Sequence, residues 1–113
     1  MLSVGCLKEN NDHDFRVSLT PETSKKLIKK NINVYVEENC GIKSGFSNED
    51  YSRVGVEILK TQESLIDKSD ILLSINPLDI NFNDISKNAK SKIFIGNFNF
   101  NDLIPDKRFT FLA

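Results

Sequence analysis

Residues 17–37, VSLTPETSKKLIKKNINVYVE, read as a helix running straight into a strand, and this pairing decides the fold class. Thr20 is a good N-cap, and Pro21 behind it suits the first helical position, where a missing N–H costs nothing. Leu27 and Ile28 give the following turns an apolar stripe. Lys25, Lys26, Lys29 and Lys30 crowd the last turns, where cations suit the negative end of the helix dipole, so this basic cluster needs no ligand to explain it. NVYVE, residues 33–37, then supplies the β-branched and aromatic residues of a strand.

The same alternation continues on both sides. LSVGCL at 2–7, DILLSI at 70–75, KIFIGNF at 92–98 and FTFLA at 109–113 are short, nearly continuous apolar runs, the habit of parallel strands covered on both faces. Ser47 ahead of Asn48, Glu49 and Asp50 predicts a short helix reaching about Val54. Further helices are expected over Glu63 to Lys68 and over part of Asp84 to Lys90. The asparagine-rich stretch NPLDINFNDISKN carries Leu78, Ile80, Phe82 and Ile85 and reads as a polar loop entering a helix. Strands alternating with helices at this spacing imply βαβ units and an open, mostly parallel α/β sheet with helices on both faces. At 113 residues the chain is one domain. An α/β domain seldom ends on an apolar strand such as FTFLA, so more chain is expected to follow.

Composition narrows the function classes. Fifteen basic against sixteen acidic residues leave no global field that would draw the chain to nucleic acid. The apolar runs are far shorter than the roughly 18 to 20 residues a membrane span requires. MLSVGCLKEN lacks the pattern of a signal peptide, which makes the cytoplasm the expected compartment and reduced thiols the expected state of Cys6 and Cys40. The glycine patterns of dinucleotide and phosphate loops are missing, so no nucleotide is expected to bind this chain alone. His13, the single histidine, lies between Asp12 and Asp14 in a polar loop without enough further ligands for a metal. Gly41 and Gly45 are expected to permit a tight turn, Phe46 to pack it down, and Asp50 with Tyr51 to open a surface helix.

Arg16 is the candidate site residue. It falls between the first strand and the first helix, at the sheet edge where open α/β folds place ligands. A guanidinium fork matches a carboxylate or phosphate, and the helix start at Thr20 adds donors nearby. The alternative is a structural salt bridge to Asp14 or Glu9.

The order VGCLKEN, RVSLTPE, VYVEENCGIKSGFSNEDYSRVGVEIL and SDILLSINPL resembles the N-terminal part of the alanine dehydrogenase and NAD(P) transhydrogenase family, over about the first 80 residues. Saccharopine dehydrogenases share the R-x-x-L-T-P element, but the S-G-F-S segment favours the first two. The resemblance implies an oxidoreductase of two related α/β domains, flavodoxin- or Rossmann-like, of which this chain is the incomplete N-terminal one without the nucleotide-binding domain. It implies NAD(H) and NADP(H) for the complete enzyme, a homo-oligomeric assembly, a nucleotide-binding domain or subunit on another chain, and membrane association only through partner subunits. In the alanine dehydrogenase branch the arginine that grips the substrate carboxylate maps onto Arg16. The lysine that contacts the substrate carbonyl maps onto Ser74, and the catalytic histidine falls near Asn97. Serine brings no positive charge and asparagine exchanges no proton near neutral pH, so two of those three groups are lost. The loss, with INPLD at 75–79, places the chain closest to the transhydrogenase alpha subunit. The implied function is a fragment or truncated relative that contributes to hydride transfer between NADH and NADP only with the missing domain. The alternatives are a catalytically inactive α/β binding or interaction module and, third, an alanine dehydrogenase-like oxidoreductase.

Overall fold

The structure, a computed structural model, describes residues 1–10, 13–76, 92–96 and 109–112. Its helices begin where side-chain oxygens can satisfy the first backbone donors. Thr20 accepts from the Thr23 N–H at 3.1 Å and starts α1 (Pro21–Lys29), with Pro21 in the first turn. Lys26 and Lys29 lie in its last turn. Ser47 and Asp50 form a reciprocal capping box that starts α2 (Asn48–Arg53), and Thr61 caps α3 (Gln62–Lys68).

Among the described residues, six parallel strands stand in the order β3-β2-β1-β4-β5-β6. They are β1 (Ser3–Cys6), β2 (Asn33–Glu37), β3 (Glu57–Leu59), β4 (Ile71–Ser74), β5 (Lys92–Gly96) and β6 (Phe109–Leu112). The order reverses between β1 and β4, which makes the carboxyl ends of those two strands the crevice of the sheet. Five strands match the apolar runs, trimmed at their ends. β3 escaped the sequence reading: it is three residues long at the outer edge beside β2, with only Leu59 buried. The helix expected within Asp84 to Lys90 and the ends of the runs at 97–98 and 113 lie outside the described residues.

Alternation along β1 divides the core between two faces. Val4 and Cys6 point to one side with Val34, Val36, Leu19, Tyr51 and Val56, and Leu27 and Ile28 of α1 pack against this cluster. Gly5 points to the other side, where a Cβ would lie 2.9 Å from Ser69 Cβ and 3.2 Å from Leu72 Cδ2. The missing side chain therefore lets the end of α3 approach the sheet. On that face Leu65 and Ile66 are buried, and the Lys68 ammonium sits 5.9 Å from the Tyr35 ring centroid. Lys92 is 2 % exposed and donates to the carbonyls of Asp67 and Ser69, both at 2.8 Å, so its cation closes the negative end of α3.

The turn after β2 differs from expectation in one respect. Gly45 has φ 87° and needs the freedom of glycine, as the turn requires. Gly41 does not: at φ −103° its backbone is ordinary, but a Cβ there would come within 2.6 Å of the Tyr51 hydroxyl oxygen. Tyr51 is not a surface residue. It is 1 % exposed, meets Phe46 edge-on with ring centroids 6.4 Å apart, and donates its hydroxyl to the Leu19 carbonyl at 2.7 Å. Burial, with the neighbouring Cys40 thiol, pushes the Tyr51 phenol well above its usual range, so this donor stays protonated.

Candidate functional site

β1 ends at Cys6, and the chain turns through Leu7, Lys8 and Glu9 at the mouth of the crevice. Glu9 turns inward and is 5 % exposed. Its carboxylate accepts from the Asn76 N–H at 2.7 Å and from the Ile75 N–H at 3.1 and 3.2 Å, which ties the end of β1 to the chain leaving β4. The Ser74 hydroxyl approaches the same carboxylate at 3.3 and 3.4 Å but lies closer, 2.7 Å, to the Asn76 carbonyl. A hydroxyl has one proton, and the shorter contact claims it. Ser74 is therefore folded into the backbone of its own turn, 4 % exposed.

The Asn76 side chain carries the connection outward. Its amide donates to Asp14 Oδ2 at 3.0 Å. Asp14 in turn holds Arg16: the Arg16 backbone N–H reaches Oδ1 at 3.0 Å, Nε reaches Oδ1 at 2.9 Å and Oδ2 at 3.2 Å, and Nη2 reaches Oδ2 at 2.6 Å. Of the two salt-bridge partners open to Arg16 in the sequence, Asp14 forms the bridge. The Arg16 side chain remains 70 % exposed, against 14 % for Asp14. The Arg16 guanidinium holds the Asp14 carboxyl far below the usual carboxylate range, with the Arg16 N–H and the Asn76 amide adding to the effect. A second tie fastens the loop, since the Ser44 hydroxyl donates to the Phe15 carbonyl.

Beside this chain of contacts, Lys8, Asn39, Ile42 and Lys43 line a cleft of about 370 Å³ at the carboxyl ends of β1 and β2. Asn39 has φ 64° and is held by Asn48, which accepts from the Asn39 N–H at 2.8 Å and donates to its side chain at 3.1 Å. Cys6 and Cys40 are buried free thiols. The hydrogen bond to Cys6, with burial, pushes the Cys40 thiol up, away from the reactive thiolate. His13 is exposed, and among the described residues no three His, Cys, Asp or Glu side chains gather as metal ligands. No helix of the described residues is long and apolar enough to cross a membrane. Asn97 lies outside the described residues.

Sequence reasoning singled out Arg16 as a candidate, considered Glu9 only as a salt-bridge partner for it, and passed over Asn76. A glutamate directly after an apolar strand, at the point where strand order reverses, is the signal that could have drawn attention to Glu9.

Comparison with known proteins agrees with this architecture. Residues 5–105 match the family described as alanine dehydrogenase/PNT, N-terminal domain. An NAD(P) transhydrogenase subunit alpha polypeptide of Rickettsia prowazekii is 34% identical over 79 residues, 70% of this chain and 21% of that protein. The alanine dehydrogenase of Methanococcus maripaludis is 29% identical over 80 residues, 70% of this chain and 21% of that protein. Among solved structures, an L-alanine dehydrogenase superposes with a TM-score of 0.71 at 21% identity, covering 86% of this chain and 26% of the other. A transhydrogenase from Sinorhizobium meliloti gives a TM-score of 0.68 at 22% identity, covering 83% and 27%. This chain thus spans about a fifth of these curated relatives and about a quarter of the solved chains. With the family matching nearly its whole length and the parallel sheet shared with both structures, the chain belongs to the alanine dehydrogenase/PNT N-terminal domain family.

Proposed function

We propose that this chain is an N-terminal scaffold related to the transhydrogenase alpha subunit, silent alone, which forms one wall of a hydride-transfer cleft when a nucleotide-binding domain on another segment or chain completes it. The observation that carries this reading is the closed crevice between β1 and β4. In a dinucleotide-binding sheet the first turn brings glycine backbone against a pyrophosphate. Here that turn holds the buried Glu9 carboxylate, bonded to the Ile75 and Asn76 N–H groups. Those donors are spent on an anion of the chain's own, and a phosphate would meet a negative charge. The turn therefore suits neither NAD(H) nor NADP(H), and the nucleotide falls to the partner domain. When bound there, the cofactor supplies the hydride chemistry, and the protein supplies position and electrostatics. Arg16, held at the rim by Asp14, is the residue that touches an oxyanion of the incoming molecule.

A second reading, an inactive α/β binding module that keeps the anion contact, draws support from Ser74. Its hydroxyl is committed to the Asn76 carbonyl and has no charge with which to polarise a substrate carbonyl, which also weighs against amino-acid oxidoreduction. Mixing the chain with a nucleotide-binding domain from a transhydrogenase and following hydride transfer from NADH to an NADP analogue separates the two. Transfer that depends on both components supports the scaffold; no transfer from a folded mixture leaves the module.

A further inference from the structure

The chain has two cysteines, far apart in sequence, and the fold brings their side chains together. Cys6 closes β1 and stands beside Val36 in the register with β2. After β2 the chain doubles back through a turn that the Cys40 N–H closes on the Glu37 carbonyl at 3.0 Å, with Asn39 in the left-handed region at φ 64°. That turn returns Cys40 to the face of the sheet toward which Cys6 points. There both belong to one buried cluster, and their thiols share a hydrogen bond. Two residues that only packed would need nothing more. The Cys6 sulfur, however, also has the Leu19 N–H and the Ser18 hydroxyl turned toward it. The Ser18 Oγ is buried and finds no nitrogen or oxygen partner among the described residues, so its proton is left for the sulfur. Together the Cys40 thiol and these two donors hold the Cys6 thiol below its ordinary range in spite of burial, while Cys40 keeps its proton.

We propose that Cys6 and Cys40 are a redox-modification site: a dithiol that a small peroxide converts to an intramolecular disulfide, tying the end of β1 to the turn after β2. The asymmetry of the pair sets the order of events. With hydrogen peroxide, the Cys6 thiolate attacks one oxygen, the O–O bond breaks, and Cys6 becomes a sulfenic acid while the departing hydroxide takes up the proton Cys6 gave away. The Cys40 sulfur then attacks the Cys6 sulfur. The S–S bond forms, the S–O bond breaks, and the second hydroxide leaves with the Cys40 proton as water. The two thiols lose two electrons and two protons, and the peroxide is reduced to two waters. Burial selects the oxidant: Cys6 is fully buried and Cys40 nearly so, which admits a molecule of two oxygen atoms more readily than a bulky disulfide. The bond also acts on the neighbouring cleft, because Lys8 lies just after Cys6 while Asn39, Ile42 and Lys43 flank Cys40. Oxidation joins the walls of that cleft covalently.

The test exposes the intact, reduced chain to hydrogen peroxide at neutral pH, then reads its mass and its free thiols. The expected product is a monomer lighter by two hydrogens, with neither cysteine open to alkylation in denaturant, and dithiothreitol restores both thiols. Amide exchange at Ile42, Ser44 and Gly45, whose N–H groups hold the turn, should slow in the oxidised form. Its thermal midpoint should rise by about 10 °C or more, since the bond closes a loop that spans α1 and β2. In Cys40→Ala, where the second step is blocked, dimedone is expected to trap a sulfenic acid on Cys6. Cys6→Ala should leave Cys40 unmodified at the same exposure. A folded wild type that keeps both thiols, or carries them only to sulfinic acids or to disulfides between chains, overturns the site. That wild-type result decides the matter even where a variant fails to fold. A dimedone adduct on Cys40 in Cys6→Ala, with none on Cys6 in Cys40→Ala, overturns the order of attack alone.

Discussion

Replacing Glu9 with alanine removes a side chain that ties the carboxyl end of β1 to the chain leaving β4, and the cost can be worked from the contacts. Two backbone donors are at stake, the N–H groups of Ile75 and Asn76, at 3.1 and 2.7 Å from the carboxylate. A hydrogen bond to an ionised partner contributes about 1.5 to 3 kcal/mol, and both donors are only partly buried, so water recovers some of the loss. The Ser74 hydroxyl adds little, because its proton lies with the Asn76 carbonyl. The sum comes to about 3 kcal/mol for Glu9→Ala. Glu9→Gln keeps one acceptor oxygen but turns an NH2 group toward a second donor, and is expected to cost about half as much. Urea unfolding at neutral pH measures both, with an unchanged slope showing that the denatured state is not what moved. Amide hydrogen exchange adds the local readout: protection of Ile75 and Asn76 should fall in both variants. A Glu9→Ala protein within about 1 kcal/mol of wild type, with those two amides still protected, would refute the assignment of Glu9 as the clasp of the crevice.

Gly5→Ala forces a Cβ against Ser69 and Leu72 and should cost about 1 to 3 kcal/mol by over-packing. The second change Ser69→Gly should recover part of that loss, and a denaturant double-mutant cycle showing strictly additive effects would contradict the contact. Glu37 behaves in the opposite sense to most surface acids. Burial raises its carboxyl above the ordinary value of 4.5, opposed by the Lys8 N–H that it accepts at 3.0 Å. A raised folded pKa means a contribution present below the unfolded value and lost as pH climbs through the folded one. Glu37→Gln, whose amide oxygen can still accept from Lys8, should therefore be more stable than wild type at pH 7. That advantage should shrink as pH falls toward 4.5, and a gap in stability independent of pH would speak against the assignment.

What was legible in the sequence follows the range of the interactions. The starts of α1 and α2 rest on Thr20 with Pro21 and on Ser47 with Asp50, contacts that close within three residues. The strands announced themselves because both faces of a parallel sheet must be apolar. β3 did not, since an edge strand of three residues with one buried side chain has no such requirement. The same distinction holds at the site. Arg16 could be singled out from its place before a helix, and Asp14 is two residues away. Glu9 meets Ile75 and Asn76 across 66 and 67 residues, so its role exists only once β4 is laid beside β1. Tyr51 was misplaced for a related reason: its ring is buried only because Gly41 has no side chain to exclude it.

Where the nucleotide binds is the deciding question, and fluorescence titration with NADH addresses it most directly. The chain by itself, folded and at neutral pH, should give no saturable change, because the Glu9 carboxylate holds the turn where a pyrophosphate would lie. Adding the nucleotide-binding domain should produce saturable binding, and the two together should move hydride. Saturable binding of NADH by this chain alone would contradict the central claim.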